Sequence, residues 1–234
     1  MKNDTLSTSP VMDMVKPGYL AITNLLNEDN IRKILAIALA RGGEFAEIYA
    51  EYAIVNGLSL EERKIRQAQS GISQGIGIRV INGEQTGYAY SESLDFESVS
   101  RAARTASTIA NHGFSDFNNT LSFNVTEHGN NSPVKIYPDQ VETSRKADYL
   151  WRANEAGYSQ DKRITHVEAS IWDAAKVVFI ANSEGYCATD QRIMLKLNVG
   201  VLAQQNGGRL AGRHGGVGCN APVAVKAVML DLSC

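Results

Sequence analysis

Histidines, cysteines and paired carboxylates are the side chains with which this chain could do metal or nucleophilic chemistry. The four histidines, His112, His128, His166 and His214, lie too far apart to form HExxH or a similarly spaced metal-binding pair. His166 falls in an alternating segment, which favours a surface or hydrogen-bonded histidine. The sequence also contains neither a GxSxG elbow nor a P-loop. It therefore nominates no catalytic and no metal-binding residue, and it leaves the substrate-binding residues unknown.

Composition and cysteine usage narrow the class of protein. The 234 residues are 44% hydrophobic and carry a formal net charge of −2, which favours neither nucleic acid nor an anionic membrane as partner. Cys187, Cys219 and Cys234 form no CxxC pair and no disulfide framework. No apolar run reaches the length of a membrane span, and the N-terminus has no signal-type apolar segment. We therefore expect a cytoplasmic protein with free thiols.

The stretch SGISQGIGIRVINGEQTGYAYSE, residues 70–92, contains three glycines within seven residues. A dinucleotide-binding loop needs a third spaced glycine and a following helix, whereas here Ile76, Ile78 and Val80 alternate as in a strand. Asn82-Gly83 is a favoured pair for a two-residue hairpin turn. A turn at that pair places Gly77 opposite Tyr88 and Gly75 opposite Tyr90. The stretch therefore predicts a hairpin whose tyrosine rings cover strand glycines.

The remaining pattern predicts an α+β fold of two similar helix-plus-antiparallel-sheet units. In each half a helix precedes two strands, a longer strand, an Asn-Gly pair (Asn82-Gly83 or Asn206-Gly207) and a return strand, an architectural repeat. The first two strands are predicted at EFAEIYAEYA and from about Leu58 in one half, and at THVEASIWDAA and from Lys176 in the other. In EFAEIYAEYA, Glu47, Tyr49 and Glu51 alternate with Ala46, Ile48 and Ala50 and so share the opposite face.

Three helices are expected, over 29–42, from Asp95 to His112 and from Val141 to Gly157. The apolar stripes of the first two comprise Ile31, Ile34, Leu35 and Ala38, and Phe96, Val99, Ala103, Ala106 and Ala110. Pro10, Pro17 and Gly18 indicate a loose N-terminal arm. The expected divisions are a flexible arm over 1–28, a first unit over 29–112, a linker over 113–138, a second unit over 139–212 and an atypical tail over 213–234.

Two longer stretches carry a resemblance to a known family. AEIYAEY, the glycine-containing hairpin and the helix DFESVSRAARTASTIA resemble the N-terminal half of the TldD/PmbA family. VVFIANSEGYCATDQRIMLKLNVGVLAQQNGGRLAG resembles the central part of the same family. The resemblance runs from about residue 20 to residue 218, and GIGIRVINGEQTGYAY is more similar to the TldD branch than to the PmbA branch.

The resemblance implies cytosolic peptide hydrolysis. The TldD branch is a zinc-dependent metalloprotease, also called a modulator of DNA gyrase, that acts on unfolded or modified peptides together with a TldE/PmbA partner. Its metal motif is HExxxH with a later cysteine, downstream of the part that resembles this chain. The implied partners are therefore a PmbA/TldE-like subunit, or a second copy by self-association, and a peptide substrate.

The chain departs from the family pattern in two respects. It contains no HExxxH, and after RHGGVG it runs CNAPVAVKAVMLDLSC, where the family continues towards its metal-binding helix. His214 and Cys219 lie near this departure, but their spacing matches no family ligand. A truncated or frame-shifted product and a natural variant tail both fit. We expect a non-catalytic N-terminal half of a TldD-like metalloprotease, without its own zinc and inactive alone; the alternative is a stand-alone peptide- or partner-binding regulatory module.

Overall fold

The computed structural model describes residues 11–110, 124–126, 138, 141–205 and 207–218. In chain order, the described elements are α1 (Val11–Leu25), α2 (Glu28–Leu39), β1 (Phe45–Glu61), β2 (Lys64–Asn82), β3 (Gln85–Ser91), α3 (Phe96–Ile109), β4 (Asn124–Thr126), α4 (Thr143–Gln160), β5 (Ile164–Asn182), β6 (Tyr186–Gln205) and β7 (Gly208–Gly218). None of the described helices combines the length and the apolar character needed to cross a bilayer.

The seven strands belong to one sheet. Its order is β3-β2-β1-β5-β6-β4, and β7 pairs with β6 in addition. β3 is antiparallel to β2, and β7 is antiparallel to β6. The short β4 instead runs parallel to the start of β6. Helices with a mainly antiparallel sheet confirm the predicted α+β class.

The chain divides into two compact units that interleave along the sequence. The first takes residues 1–53, 73–129 and 176–192, and the second takes 54–72, 130–175 and 193–234. β1, β2, β5 and β6 each contribute residues to both units. The compact units therefore differ from the consecutive units predicted over 29–112 and 139–212, because strands of 17 to 20 residues carry the chain between them.

The predicted repeat is present with one strand fewer in each half. A helix and three strands follow one another twice, first as α2, β1, β2 and β3 and then as α4, β5, β6 and β7. The predicted break before Leu58 is absent because β1 continues through it, and the break before Lys176 is absent because β5 does. Tyr52 and Ala53 are both buried, as are Ala174 and Ala175. Burial of consecutive residues interrupts the alternation that marks a strand, although the backbone remains extended.

Helices α2 and α3 belong to the first unit, and side-chain caps fix where they begin. The Asn27 side chain accepts a hydrogen bond from the Asn30 backbone N–H, and Asp95 accepts one from Ser98. These caps satisfy backbone donors that a helix leaves free in its first turn. The predicted apolar faces are buried with one exception, Phe96 at the start of α3, which is 36% exposed. The buried residues are Ile31, Ile34, Leu35 and Ala38 of α2 and Val99, Ala103, Ala106 and Ala110 of α3 and its C-cap.

The N-terminal part of the chain differs from the prediction. A flexible arm over residues 1–28 is wrong for residues 11–25, which form α1, while residues 1–10 lie outside the described part. Ile22 is fully buried, and a Cβ atom added at Gly18 would meet the Tyr52 ring at 2.0 Å. Tertiary packing thus outweighs the helix-breaking tendency of Pro17 and Gly18. Gly18 serves here as a contact surface for an aromatic ring.

The glycine-containing stretch forms the predicted hairpin with a different register. Gln85 pairs with Asn82, so the two-residue turn is Gly83-Glu84 and not Asn82-Gly83. The Asn82 side chain is buried and donates a hydrogen bond to the Ala110 carbonyl oxygen, which holds this residue in the strand. Gly77 consequently pairs with Tyr90. A Cβ atom at Gly77 would still meet the Tyr88 hydroxyl at 2.7 Å, so Tyr88 covers this glycine from a diagonal position.

The second unit is organised around α4. The helix places Leu150 and Ala153 in an apolar cluster with residues of three strands, and Trp151 and Tyr158 pack on its margin. The strand residues of this cluster are Leu58 and Leu60 of β1, Val167, Ala169 and Ile171 of β5, and Leu195, Leu197 and Val199 of β6. A helix that begins at Thr143 and ends at Gln160 confirms the predicted third helix with its boundaries moved by two or three residues.

A buried ion pair lies between α4 and the strands of this unit. Lys146 Nζ is 2.7 Å from Asp173 Oδ2, and the two side chains are 10% and 1% exposed. Asn56 donates to the other carboxylate oxygen at 2.8 Å. Both oxygens of Asp173 therefore have a partner, as a buried carboxylate requires.

The predicted linker and tail are only partly within the described residues. Most of the linker over 113–138 lies outside them, but Asn124–Thr126 form β4. The prediction of an atypical tail from residue 213 is wrong for residues 213–218, which continue β7 and pair with β6 as far as Gly218 opposite Leu195. Gln205 of β6 pairs with Gly208 of β7, on either side of the predicted Asn206-Gly207 pair, and Asn206 itself lies outside the described residues. Residues 219–234 lie outside the described part.

We expect Gly87→Ala to destabilise the fold by about 1–3 kcal/mol, because the added Cβ would lie 2.0 Å from the Ala106 carbonyl oxygen and would push α3 from β3. The matched control is Gly71→Ala, also on a strand, where nothing lies within 4 Å of the added atom. The free energy of unfolding of that variant should equal or slightly exceed that of the parent protein. Urea unfolding of both variants measures the difference, and equal stabilities would contradict the observed α3–β3 contact.

Lys146→Met and Asp173→Asn should each destabilise the protein by about 3–5 kcal/mol, because each leaves a buried partner without its counter-charge. The double variant should lose clearly less free energy of unfolding than the sum of the losses in the two single variants. A double-mutant cycle by urea unfolding gives this coupling energy. The exposed pair Arg192–Asp190 serves as control, with an expected coupling of about 1 kcal/mol or less. Additive effects at Lys146 and Asp173 would show that the buried pair does not form.

Candidate functional site

One face of the sheet in the first unit carries tyrosines and charged side chains, and we call it the tyrosine face. Ala46, Ile48 and Ala50 of β1 are fully buried, so the alternate residues point to the opposite side. The tyrosine face comprises Glu47, Tyr49 and Glu51 of β1, Arg79 of β2, Tyr88 and Tyr90 of β3, Lys176 of β5 and Arg192 of β6. Tyr49, Tyr88 and Tyr90 are 37%, 58% and 67% exposed.

The charged groups of the tyrosine face are paired across strands. Glu51 Oε2 accepts a hydrogen bond from Lys176 Nζ at 2.9 Å and another from the Tyr49 hydroxyl at 2.8 Å. Arg79 Nε lies 2.8 Å from Glu47 Oε1. Because each of these cations faces a carboxylate, this part of the face has little net charge. It would not attract a polyanion such as nucleic acid.

The pKa values of Glu51 and Tyr49 reflect this pairing. Burial raises the pKa of the Glu51 carboxyl, but hydrogen bonds from Lys176 and Tyr49 outweigh it and hold the pKa below its usual value. Burial, followed by the hydrogen bond to Glu51, raises the pKa of Tyr49 to about 12. At neutral pH Tyr49 is therefore a hydroxyl donor, and Glu51 is an acceptor with a fixed charge. Such an arrangement holds side chains in place, and it offers no group poised for proton transfer near pH 7.

The described side chains that could bind a metal ion or act as a nucleophile do not form a cluster. His166 Nε2 lies 3.3 Å from Glu61 Oε1, in agreement with the predicted hydrogen-bonded histidine. Burial raises the pKa of the Cys187 thiol, which keeps it protonated and unreactive. Among the described residues, no group of three or more histidine, cysteine, aspartate or glutamate side chains could hold a metal ion. His112, His128, Cys219 and Cys234 lie outside the described residues. The histidines and cysteines that the structure does describe do not fit a zinc site.

A cleft of about 450 Å³ lies along the outer side of α4 in the second unit. Its described lining residues all belong to this helix and comprise Arg145, Asp148, Tyr149, Trp151, Arg152 and Glu155. Two guanidinium groups and two carboxylates give mixed charge without a preference for an anion or a cation. The cleft therefore indicates no particular ligand chemistry.

Sequence reasoning nominated no site residue, and it missed the tyrosine face. Glu51 and Lys176 are 125 positions apart, so no local spacing connects them. The signal that existed was the alternation of Glu47, Tyr49 and Glu51 with buried small or apolar residues. That alternation predicted an outer face, but it could not indicate which residues of other strands lie beside it.

Two family models match the chain in order. Residues 46–110 match "PmbA/TldA metallopeptidase domain 1", and residues 136–229 match "PmbA/TldA metallopeptidase central domain". Together they cover more than half of the chain. The second match extends beyond residue 218, where the resemblance was expected to end, and so includes most of the predicted tail.

Curated relatives of the chain are named as metalloproteases of the same family. The chain is 29% identical over 195 residues to a metalloprotease TldD homolog of Buchnera aphidicola, which aligns 82% of this chain with 40% of that protein. It is 26% identical over 210 residues to a metalloprotease TldD homolog of Haemophilus influenzae, with 88% and 41% aligned. The chain thus spans about 40% of the length of these relatives.

Solved structures show the same fold at low sequence identity. A putative modulator of DNA gyrase from Bacteroides thetaiotaomicron matches with a TM-score of 0.65 and 13% identity, over 87% of this chain and 49% of that one. TldE from Thermococcus kodakarensis matches with a TM-score of 0.61 and 15% identity, over 87% and 47%. These likenesses support the fold. Since both domain models match in order and the named relatives agree with them, the chain belongs to the PmbA/TldD metallopeptidase family.

Proposed function

We propose that this chain supplies the non-catalytic N-terminal and central part of a TldD-like metallopeptidase that hydrolyses peptides or unfolded proteins. The observation that carries the proposal is the ordered match to domain 1 and the central domain, in a sequence that contains no HExxxH. The chain corresponds to about 40% of its named relatives. In this proposal the zinc ligands belong to the part of the peptidase that these two domains do not include.

The tyrosine face is the surface that we assign to subunit contact within this proposal. Tyrosine and arginine are enriched in the centres of protein interfaces, where their large side chains contribute contact area and hydrogen bonds. The pairing of Glu51 with Lys176 keeps the face nearly neutral, which lowers the cost of removing it from water. The partner proposed for it is a PmbA/TldE-like subunit.

A cytoplasmic location is part of the proposal. Cys187 is a free, buried cysteine, and a reducing compartment keeps such a thiol unmodified.

We expect the purified chain to bind no stoichiometric zinc and to cleave no peptide, because a catalytic zinc needs three protein ligands held close together. Elemental analysis after dialysis against zinc gives the metal content, and a fluorogenic peptide assay gives the activity. The full-length Haemophilus influenzae homolog is the matched comparison in both measurements. About one zinc per chain, with peptidase activity that a chelator abolishes, would refute the proposal that this part is non-catalytic.

Tyr49→Ala and Tyr88→Ala should each weaken binding to a PmbA/TldE-like protein from the same genome by about tenfold or more, equivalent to about 1.4 kcal/mol. Each removes an exposed ring from the tyrosine face. The control is Tyr149→Ala on α4, which makes the same change in the other compact unit and should leave affinity unchanged. Surface plasmon resonance gives the affinities. Equal affinities for all three variants would remove the tyrosine face from the proposed subunit contact.

A further inference from the structure

An asparagine followed by a glycine can react with its own backbone. The glycine nitrogen gives up its proton to solvent and attacks the side-chain amide carbon of the asparagine, since glycine has no side chain to obstruct the approach. The bond from that carbon to the amide nitrogen breaks, and ammonia leaves with a proton from solvent. Water then opens the resulting succinimide ring to aspartate or isoaspartate. No oxidant, reductant or enzyme takes part in this deamidation.

The chain contains three such pairs, at residues 56–57, 82–83 and 206–207. Asn206 lies outside the described residues. Asn56 and Gly57 lie within β1, which has β2 on one side and β5 on the other. Asn82 is instead the last residue of β2, and Gly83 begins the exposed turn. Of the two described pairs, the one at residues 82–83 therefore has fewer neighbouring strands to restrain its backbone.

Both reacting groups of the pair at 82–83 are held by other parts of the first unit. Asn82 Nδ2, which leaves as ammonia, donates a hydrogen bond to the Ala110 carbonyl oxygen at 3.1 Å. The Gly83 backbone N–H, which supplies the attacking nitrogen, donates to Glu44 Oε2 at 3.3 Å. Asn82 also pairs with Gln85 across the hairpin. An extended backbone keeps the attacking nitrogen away from the amide carbon, so the reaction requires Asn82 to leave its strand conformation.

The charge of Glu44 opposes the reaction as well. The attacking nitrogen must lose its proton, and a neighbouring carboxylate disfavours the negative charge that results. Because Glu44 is exposed, solvent and salt screen part of this effect. At Gly83 nothing lies within 4 Å of an added Cβ, so packing does not protect the glycine. The protection therefore depends on two hydrogen bonds and one charge, and it is lost when the turn opens.

The product cannot restore the contact with α3. Deamidation replaces the amide donor at position 82 by a carboxylate, which accepts hydrogen bonds but cannot donate one when ionised. The carboxylate would face the carbonyl oxygen of Ala110, the C-cap of α3, at a position where Asn82 is only 8% exposed. A buried carboxylate opposite another acceptor is unfavourable. Isoaspartate also lengthens the backbone by one carbon atom, which alters the hairpin register.

We propose that Asn82 is a deamidation site that the docking of α3 on the hairpin protects. The closed turn resists the reaction, and each local opening of α3 from β3 exposes Asn82 and Gly83 to it. Since the product no longer donates to Ala110, a molecule that has reacted stays open at this point. The modification is thus an irreversible record of opening in the first unit. It is independent of the proposed peptidase role.

Mass spectrometry measures the reaction in the whole chain. The chain is incubated at mildly alkaline pH in heavy-oxygen water, so that a heavy oxygen at position 82 identifies deamidation during the incubation. The reference is a synthetic peptide of residues 78–87, IRVINGEQTG, which lacks Glu44 and Ala110. Position 82 should react in the folded chain at a rate at least about tenfold below that of the peptide, because only open molecules react. Asn56 should react more slowly than Asn82.

Two matched pairs of variants identify the groups that protect the site. Gly87→Ala, which pushes α3 from β3, should raise the rate at Asn82 about threefold or more, and Gly71→Ala should leave it unchanged. Glu44→Ala should also raise the rate about threefold or more, because it removes both the acceptor and the charge. Its control is Glu84→Ala, the same change of charge within the turn, which should have a clearly smaller effect.

Asn82→Asp imitates one product of the reaction. It should lower the urea midpoint of unfolding, because the donor to Ala110 is replaced by a buried acceptor. The control is Gln85→Glu, the same chemical change in the residue that pairs with Asn82. Gln85 is exposed, so its new charge remains in water and the midpoint should be nearly unchanged. Circular dichroism establishes that each variant is folded.

Four results would each overturn the proposal: no deamidation at position 82 in the folded chain, a rate equal to that of the peptide, equal rates in Gly87→Ala and Gly71→Ala, or equal midpoints for Asn82→Asp and Gln85→Glu. An equal acceleration at Asn56 and Asn82 in Gly87→Ala would also overturn it, because unfolding of the whole chain would then expose both pairs. If Gly87→Ala does not fold, the comparison of the parent chain with the peptide still decides. Equal rates in Glu44→Ala and Glu84→Ala would overturn the role of Glu44.

Discussion

The pairing of β1 with β5 is the contact on which both compact units depend. In the first unit, Ala46 on β1 and Ser183, the residue that directly follows β5, exchange two hydrogen bonds, one of them through the Ser183 side chain. In the second unit, Asn56 on β1 donates to Asp173 on β5. Strands that belong to the two halves of the predicted repeat are thereby neighbours in one sheet. Each unit consequently needs residues from both halves of the sequence, and neither half contains a complete unit by itself.

The sequence predicted those elements whose determinants are local. Asp95 followed by an apolar stripe predicted where α3 begins, and the alternation of Ile76, Ile78 and Val80 predicted which face of the hairpin is buried. The features that sequence reasoning missed depend on distant residues. The hairpin register follows from a hydrogen bond between Asn82 and Ala110, and α1 forms despite Pro17 because its residues pack on other parts of the first unit. Local patterns cannot indicate such contacts.

The same distinction applies to the candidate site. Glu51 was visible as an outward-facing residue, but its partner Lys176 could be found only from the strand order. The family resemblance was accessible because it rests on continuous stretches of sequence, and the comparisons bear it out. They extend it to residue 229, past the point where the sequence was expected to leave the family. The structure adds that, within the described residues, the parts of this chain that match the two domains together form a tyrosine-rich surface on which Glu47 and Glu51 are paired with cations.

Sequence separation along the β1–β5 pairing has a consequence for biosynthesis. The Ala46 backbone N–H bonds to a residue 137 positions later, so β1 cannot obtain this partner until most of the chain has left the ribosome. Contacts of such long range slow folding, because the chain loses much conformational freedom before they form. During that interval the nascent chain would expose the apolar side of β1 and an unpaired backbone. A protein with this topology is therefore one for which the pace of translation and early contact with chaperones affect the yield of folded molecules.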